Sequence, residues 1–311
     1  MKLVKPSWVP KRLTGKWREV FEALRRGQAQ LSDYDSAYEL AIAHQLCAPL
    51  ASYALERGDE VPERWRNRLN HVRAQNLIFE TCLASLAEQL DALNVPWFVT
   101  RGAARLADPL VPDRLCGDVD LYILPEDWPT IEIELAAKPD FERTVHRGEK
   151  NRSTRHFLWR PSLEVELDFH LSVSPFHSEG GAGYELLMQR RVRNAHGLWV
   201  LPPEDDYGMA LIEALIEAPA NRLRRLWELD ALYERLKPGE RQRMRRHFGL
   251  RRWAHRLPHL VFRRIQGTLV MHSARQLLVR YGGLSMLILA SRRPVRQTRD
   301  SIGLMLRRFR A

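Results

Sequence analysis

The chain has 311 residues, 45% of them apolar and 28% charged. This excludes wholesale disorder and allows a sizeable core without disulfide or metal staples; at roughly 150 residues per domain it suggests two domains, or one core with helical extensions. The net charge of +11 is uneven: residues 240–311 hold 18 arginines, no lysine and only Glu240 and Asp300 as acids, a local +16 that leaves the preceding 239 residues at −5.

The opening MKLVKPSWVPKRL has no apolar core of the kind a signal peptide needs. Residues 15–58 read as helical, carrying Leu24, Leu31, Leu40, Leu46, Leu50 and Leu55, with Gly58 as a stop. From 69 to 93 the residues Leu69, Val72, Phe79, Leu83, Leu86, Leu90 and Leu93 mark one long amphipathic helix, closed by Asn94 before Pro96. The period then changes. Residues 95–100 (VPWFVT) suit a strand, Arg101-Gly102 turns into a helix at AARLA, and Gly117 precedes a second strand, DVDLYIL. A helix is expected over Pro125–Ala137 and a strand over Thr154–Trp159. In 163–174 every odd position is apolar and every even position polar, which predicts a strand with one buried and one ionisable face. Beyond Glu185 the chain reads as helical again, with helices at 204–217 and Arg222–Leu236.

Asp118 and Asp120 lie two apart on a predicted strand, so both project from one face about 6.6 Å apart, a spacing at which carboxylates share a hard divalent cation. The 163–174 strand adds Glu164, Glu166, Asp168 and His170 on one face. Such a row of like charge repels itself unless a metal, a cationic partner or open solvent relieves it. Arg101, Arg105 and Arg114 flank this region and offer charge for phosphates, as do Lys150, Arg152 and Arg155; His156 reads as a strand residue, Asp230 as a helix-packing or capping residue at least as readily as a ligand contact, and Trp199 and Trp227 as core.

The segments FVTRGAARL, DRLCGDVDLYI, LDFHLSV and LRRLWELDALYERL, with AIAHQLCAPL before them, resemble the bacterial family called uncharacterised nucleotidyltransferases, within the DNA polymerase beta type nucleotidyltransferase superfamily. The resemblance covers about 35–240. It implies an α+β fold with a small mixed β-sheet flanked by N-terminal and C-terminal helical regions. It implies transfer of a nucleoside monophosphate from a nucleoside triphosphate, ATP being the expected donor, to a hydroxyl of a small molecule or protein. Asp118, Asp120 and Asp168 would be catalytic and hold Mg²⁺, two ions being expected; Arg101, Gly102 and His170 would contact the nucleotide. Arg101 stands where the family has lysine, and Ala103 where the superfamily has glycine or serine.

The expected division is 1–93 as an N-terminal helical region, 94–176 as the α/β core, 177–239 as helices completing the catalytic unit, and 240–311 as an arginine-rich helical end. That end suits an anionic membrane surface or a protein partner, with Leu284, Met286, Leu287, Ile288 and Leu289 as an apolar face. Nucleic acid is the less favoured partner, because few aromatics interleave the arginines. Cys47, Cys82 and Cys116 are more than thirty residues apart and form no metal or redox pair. With no signal peptide and no apolar run long enough to span a bilayer, a cytoplasmic protein is expected, with peripheral contact at the inner membrane surface. Two rivals are a glycosyltransferase using Asp118-Val119-Asp120 as its metal motif, and a non-catalytic binding protein with a degenerate site and a working basic tail.

Overall fold

The computed structural model describes residues 19–20, 23–24, 31, 33–106, 111–145, 154–160, 164–171, 184–216, 223–248, 250 and 254–256. The arginine-rich tail beyond 256, its apolar run at 284–289, and Lys150, Arg152, Leu163 and residues 172–174 lie outside these.

Asp33 caps the first helix, its carboxylate accepting from the amides of Asp35 at 3.0 Å and Ser36 at 3.1 Å. Of the helical stretch expected up to Gly58, residues 34–56 form two helices, α1 (Tyr34–Ala43) and α2 (Cys47–Glu56), and the described residues 19–20 and 23–24 are also helical. Gln45 separates them in the left-handed region, with φ 57°. The long helix α3 (Glu63–Ala92) starts six residues before its expected first apolar position, because Trp65 extends the buried stripe into a charged first turn. Asn94, at φ 54°, ends it as an asparagine just past a helix can.

The sheet strands are β1 (Trp97–Val99), β2 (Asp118–Ile123), β3 (Phe141–Thr144), β4 (Thr154–Trp159), β5 (Val165–His170), β6 (Val192–Arg193) and β7 (Trp199–Val200). They lie in the order β3-β4-β5-β2-β1-β7-β6. The β2/β5 and β1/β7 pairs are parallel and the others antiparallel. The helices are α4 (Arg101–Ala104), α5 (Trp128–Ala136), α6 (Tyr184–Arg190), α7 (Pro203–Ile216), α8 (Leu223–Arg235) and α9 (Pro238–His247). This is the mixed α+β architecture expected, with a wider sheet. The helical reading beyond Glu185 is corrected at 192–200, where β6 and β7 form a hairpin turned through Gly197 at φ 75°. Two-residue strands are too short for alternation to register. Edge strand β3 escapes for a related reason, since only Phe141 in it is buried.

The sheet separates two cores. On one face Trp97, Val99, Val119, Leu121, Phe157, Leu167 and Phe169 pack with α3 and α5. On the other, Phe98 and Tyr122 pack against α6, α7, α8 and α9. Met244, Phe248, Leu250 and Ala254 belong to this second core, so the charge boundary at 240 is not a packing boundary. A third cluster joins α1, α2 and the first half of α3 to Leu223, Leu226 and Trp227 of α8. All three cysteines are buried thiols. Among the described residues no helix is long and apolar enough to cross a membrane.

Candidate active site

Register brings the site together. Asp118 pairs with Glu166, Asp120 with Asp168, and Tyr122 with His170 across the parallel β2/β5 ladder. The antiparallel β4/β5 ladder continues two of these rows, placing His156 beside Asp168 and Thr154 beside His170. On β1, Phe98 pairs with Tyr122 and stacks on it, centroids 5.0 Å apart and 3° from parallel. Side chains two apart on a strand share a face, so all these groups lie on the side of the sheet that faces α6 and α7.

Asp120 is at the centre and 1% exposed. One of its oxygens, Oδ1, lies 3.0 Å from Arg101 Nη1 and 3.0 Å from His170 Nε2. Burial would raise this carboxyl's pKa, but the Arg101 charge and the His170 hydrogen bond outweigh it and hold it well below the usual carboxylate range. Arg225 on α8 adds positive charge to the same effect. The solvent end of the row is Asp118. Loss of part of its hydration and the Asp120 charge push its pKa up, against the pull of Arg101. Asp168 accepts a 2.6 Å hydrogen bond from His156 Nδ1.

Ligand atoms of Asp120, Asp168 and His170 lie within 4.8 Å of one another, as do those of His156, Glu166 and Asp168. Asp118 is in neither group and sits one row further out. Two carboxylates on adjacent strands supply the oxygen ligands that a hard divalent cation requires, with Asp118 near enough to act electrostatically on Asp120. The donor set therefore fits such an ion. Imidazole nitrogen beside the carboxylates is a ligand type that transition metals accept more readily than magnesium does.

His170 hydrogen-bonds Asp120 rather than its own-strand neighbour Asp168, and stacks on Tyr122 at 4.6 Å and 13°. His156, read from the sequence as a plain strand residue, is the partner of Asp168. Thr154 and His156 lie two apart and so share a face of the strand, but the alternation stops at Leu158, and cross-strand pairing cannot be read from one strand. Glu213 of α7 was also missed, the one carboxylate in the buried 207–215 run that follows the helix's acidic first turn; it receives Arg101 Nε at 2.7 Å and the Tyr122 hydroxyl at 3.1 Å.

Two arginines expected near phosphate are corrected. Arg105 is buried and pairs with Asp206 at 2.7 Å and Glu228 at 3.4 Å; Arg114 is buried and pairs with Glu228 at 2.7 Å. They brace α4 and the segment before β2 against α7 and α8. Gly102 is fixed by the same packing, since a Cβ there would lie 2.5 Å from Arg114 Nη1 and 2.8 Å from Cys116 Sγ. Trp227 is core, as expected, while Trp199 donates to Asp91 at 3.2 Å with Arg191 and Arg193 over its ring.

No curated protein matches the chain. Among solved structures, a similar one is an antigenic nucleotidyltransferase-like protein from Paracoccidioides brasiliensis, 18% identical, with a TM-score of 0.38, covering 68% of this chain and 92% of that one. Residues 30–261 match the sequence profile of the family described as uncharacterised nucleotidyltransferases, which extends past the 240 limit of the quoted motifs and takes in the buried Met244, Phe248 and Leu250. The chain belongs to that nucleotidyltransferase family, a family of transferases.

Proposed function

We propose that the protein moves a nucleoside monophosphate from a nucleoside triphosphate, ATP first among candidates, to a hydroxyl on a small molecule or protein, forming a phosphodiester as the α–β phosphoanhydride breaks and pyrophosphate leaves. The observation that supports this best is the pairing of Asp120 with Asp168 across β2 and β5, with His170 in reach of both. Asp118 and Asp120 would hold a divalent cation, Mg²⁺ being the first candidate, on the donor side, and Asp168 on the acceptor side. Held there, such ions, two being expected, would offset phosphate charge and lower the pKa of an attacking hydroxyl.

The chain's own groups divide the remaining work. Asp168 is the candidate base for the acceptor proton, oriented by its bond from His156. Arg101 carries fixed positive charge at the row's edge, where it can offset triphosphate charge. Gly102, through its backbone amide, and His170, through its imidazole, would contact the nucleotide. The family membership leaves the glycosyltransferase reading without support, and the retained carboxylate rows argue against a degenerate site.

The acceptor is best found by mass spectrometry of the full-length protein incubated with mixed triphosphates, Mg²⁺ and cell extract. A nucleotide-sized increment on any product supports the reading. Increments absent from wild type, or equally present with Asp168→Asn, would contradict it. For the basic end we retain recruitment to an anionic surface.

A further inference from the structure

Residues 207–215 of α7 are buried throughout, and Glu213 places a carboxylate, 8% exposed, in that run. A charge so buried is strongly destabilising unless paired. Its two oxygens serve different partners: Oε2 lies 2.7 Å from Arg101 Nε, and Oε1 accepts from the Tyr122 hydroxyl at 3.1 Å. Arg101 reaches Asp120 through a different nitrogen, Nη1, at 3.0 Å. His170 bonds the same Asp120 oxygen and stacks on Tyr122. The contacts form a closed loop through Tyr122, Glu213, Arg101, Asp120 and His170. Arg101 also sits in the left-handed backbone region, φ 55°, where a non-glycine residue stays only if its surroundings fix it.

We infer that Glu213 is a positioning residue that holds the Arg101 guanidinium at the Asp120 end of the site, so that its charge is already in place for the donor triphosphate. The inference rests on the nucleotidyl-transfer reading above. It explains why position 101 needs arginine. The rigid guanidinium fork meets two carboxylates through separate nitrogens, whereas the ammonium of lysine is a point charge on a flexible stem. Glu213 and Arg101 are then a matched pair on α7 and α4, set 112 residues apart, and neither should be exchanged alone.

The test is a double-variant cycle read by calorimetric binding of a non-hydrolysable ATP analogue with Mg²⁺, alongside thermal melts. Glu213→Gln should weaken binding about 10- to 100-fold, by analogy with the loss of an outer partner of a metal ligand, and Arg101→Lys should weaken it at least as much. The double variant should bind no worse than the weaker single one, because Glu213 acts only through Arg101. Losses that multiply, or a Glu213→Gln protein that melts lower yet binds as wild type does, would reduce Glu213 to a structural role and overturn the inference. Should Glu213→Gln fail to fold, Glu213→Asp and Tyr122→Phe carry the test, and unchanged affinity in both overturns it. A folded wild type that binds no analogue at all would instead remove the nucleotidyl-transfer reading, and this inference with it.

Discussion

Asp120 and Asp168 face each other across parallel strands, and each is engaged by a group from a different side: Arg101 and His170 on Asp120, His156 on Asp168. A slip of one residue in that register would set Asp120 opposite Leu167 or Phe169 and bury the acids in the α3/α5 core. The fold thus specifies the acid pair as strongly as it specifies its apolar faces.

The two acids of the DVD motif should respond oppositely when neutralised without ligand. Asp120 contributes stability that is present above the carboxylate's ordinary pKa and lost as pH falls toward its depressed folded value. Asp120→Asn removes one side of a buried pair and should cost about 3–5 kcal/mol. Asp118 has a raised pKa, so its charge opposes folding at neutral pH; Asp118→Asn should melt at or above wild type. Thermal melts at pH 7 compare them directly.

Asp168 should separate binding from chemistry. If it serves the acceptor, Asp168→Asn keeps triphosphate affinity within a few-fold and loses turnover by at least about 100-fold, the lower range for general-base removal. An active Asp168→Asn enzyme beside an inactive Glu166→Gln would transfer the role to the next residue of the row.

A second buried network sets acid sensitivity. Burial raises the Glu228 carboxyl, yet Arg114, Arg224 and Arg105 together bring it down to about 2. Its contribution to stability should be lost as pH falls from about 4.3, the unfolded value, to about 2. Glu228→Gln should be less stable by about 3–5 kcal/mol at pH 7. Its urea midpoint should also vary less between pH 5 and pH 2, within about that window. A variant with wild-type acid dependence would show that the network is not what titrates.

Much of this was legible in the sequence because periodicity is local. The long helix, the DVDLYI strand and the alternating strand at 165–170 each repeat over enough residues to reveal period and face. What pairs with what was not legible. His156 meets Asp168 through an antiparallel register, and Glu213 meets Arg101 across 112 residues. Arg105 and Arg114 looked like phosphate ligands because charge near a motif carries no sign of burial; their partners Asp206 and Glu228 lie on helices more than 100 residues away. The charge step at 240 suggested a boundary, but Met244 and Phe248 continue the apolar core through an arginine-rich helix.

The basic end should show itself by salt dependence. Full-length protein should co-sediment with anionic liposomes at low salt and dissociate progressively as ionic strength rises past physiological, where screening acts over ~8 Å. Protein that ignores liposomes but shifts RNA in a gel at the same salt would give the nucleic-acid reading precedence.

The account is tested most directly by titrating a non-hydrolysable ATP analogue into wild type and Asp118→Asn, with and without Mg²⁺, by calorimetry. Saturable, Mg²⁺-dependent binding is expected in wild type and should be largely lost in Asp118→Asn, even though that variant keeps its fold. Wild-type-like binding by both Asp118→Asn and Asp120→Asn would contradict the assignment of the site.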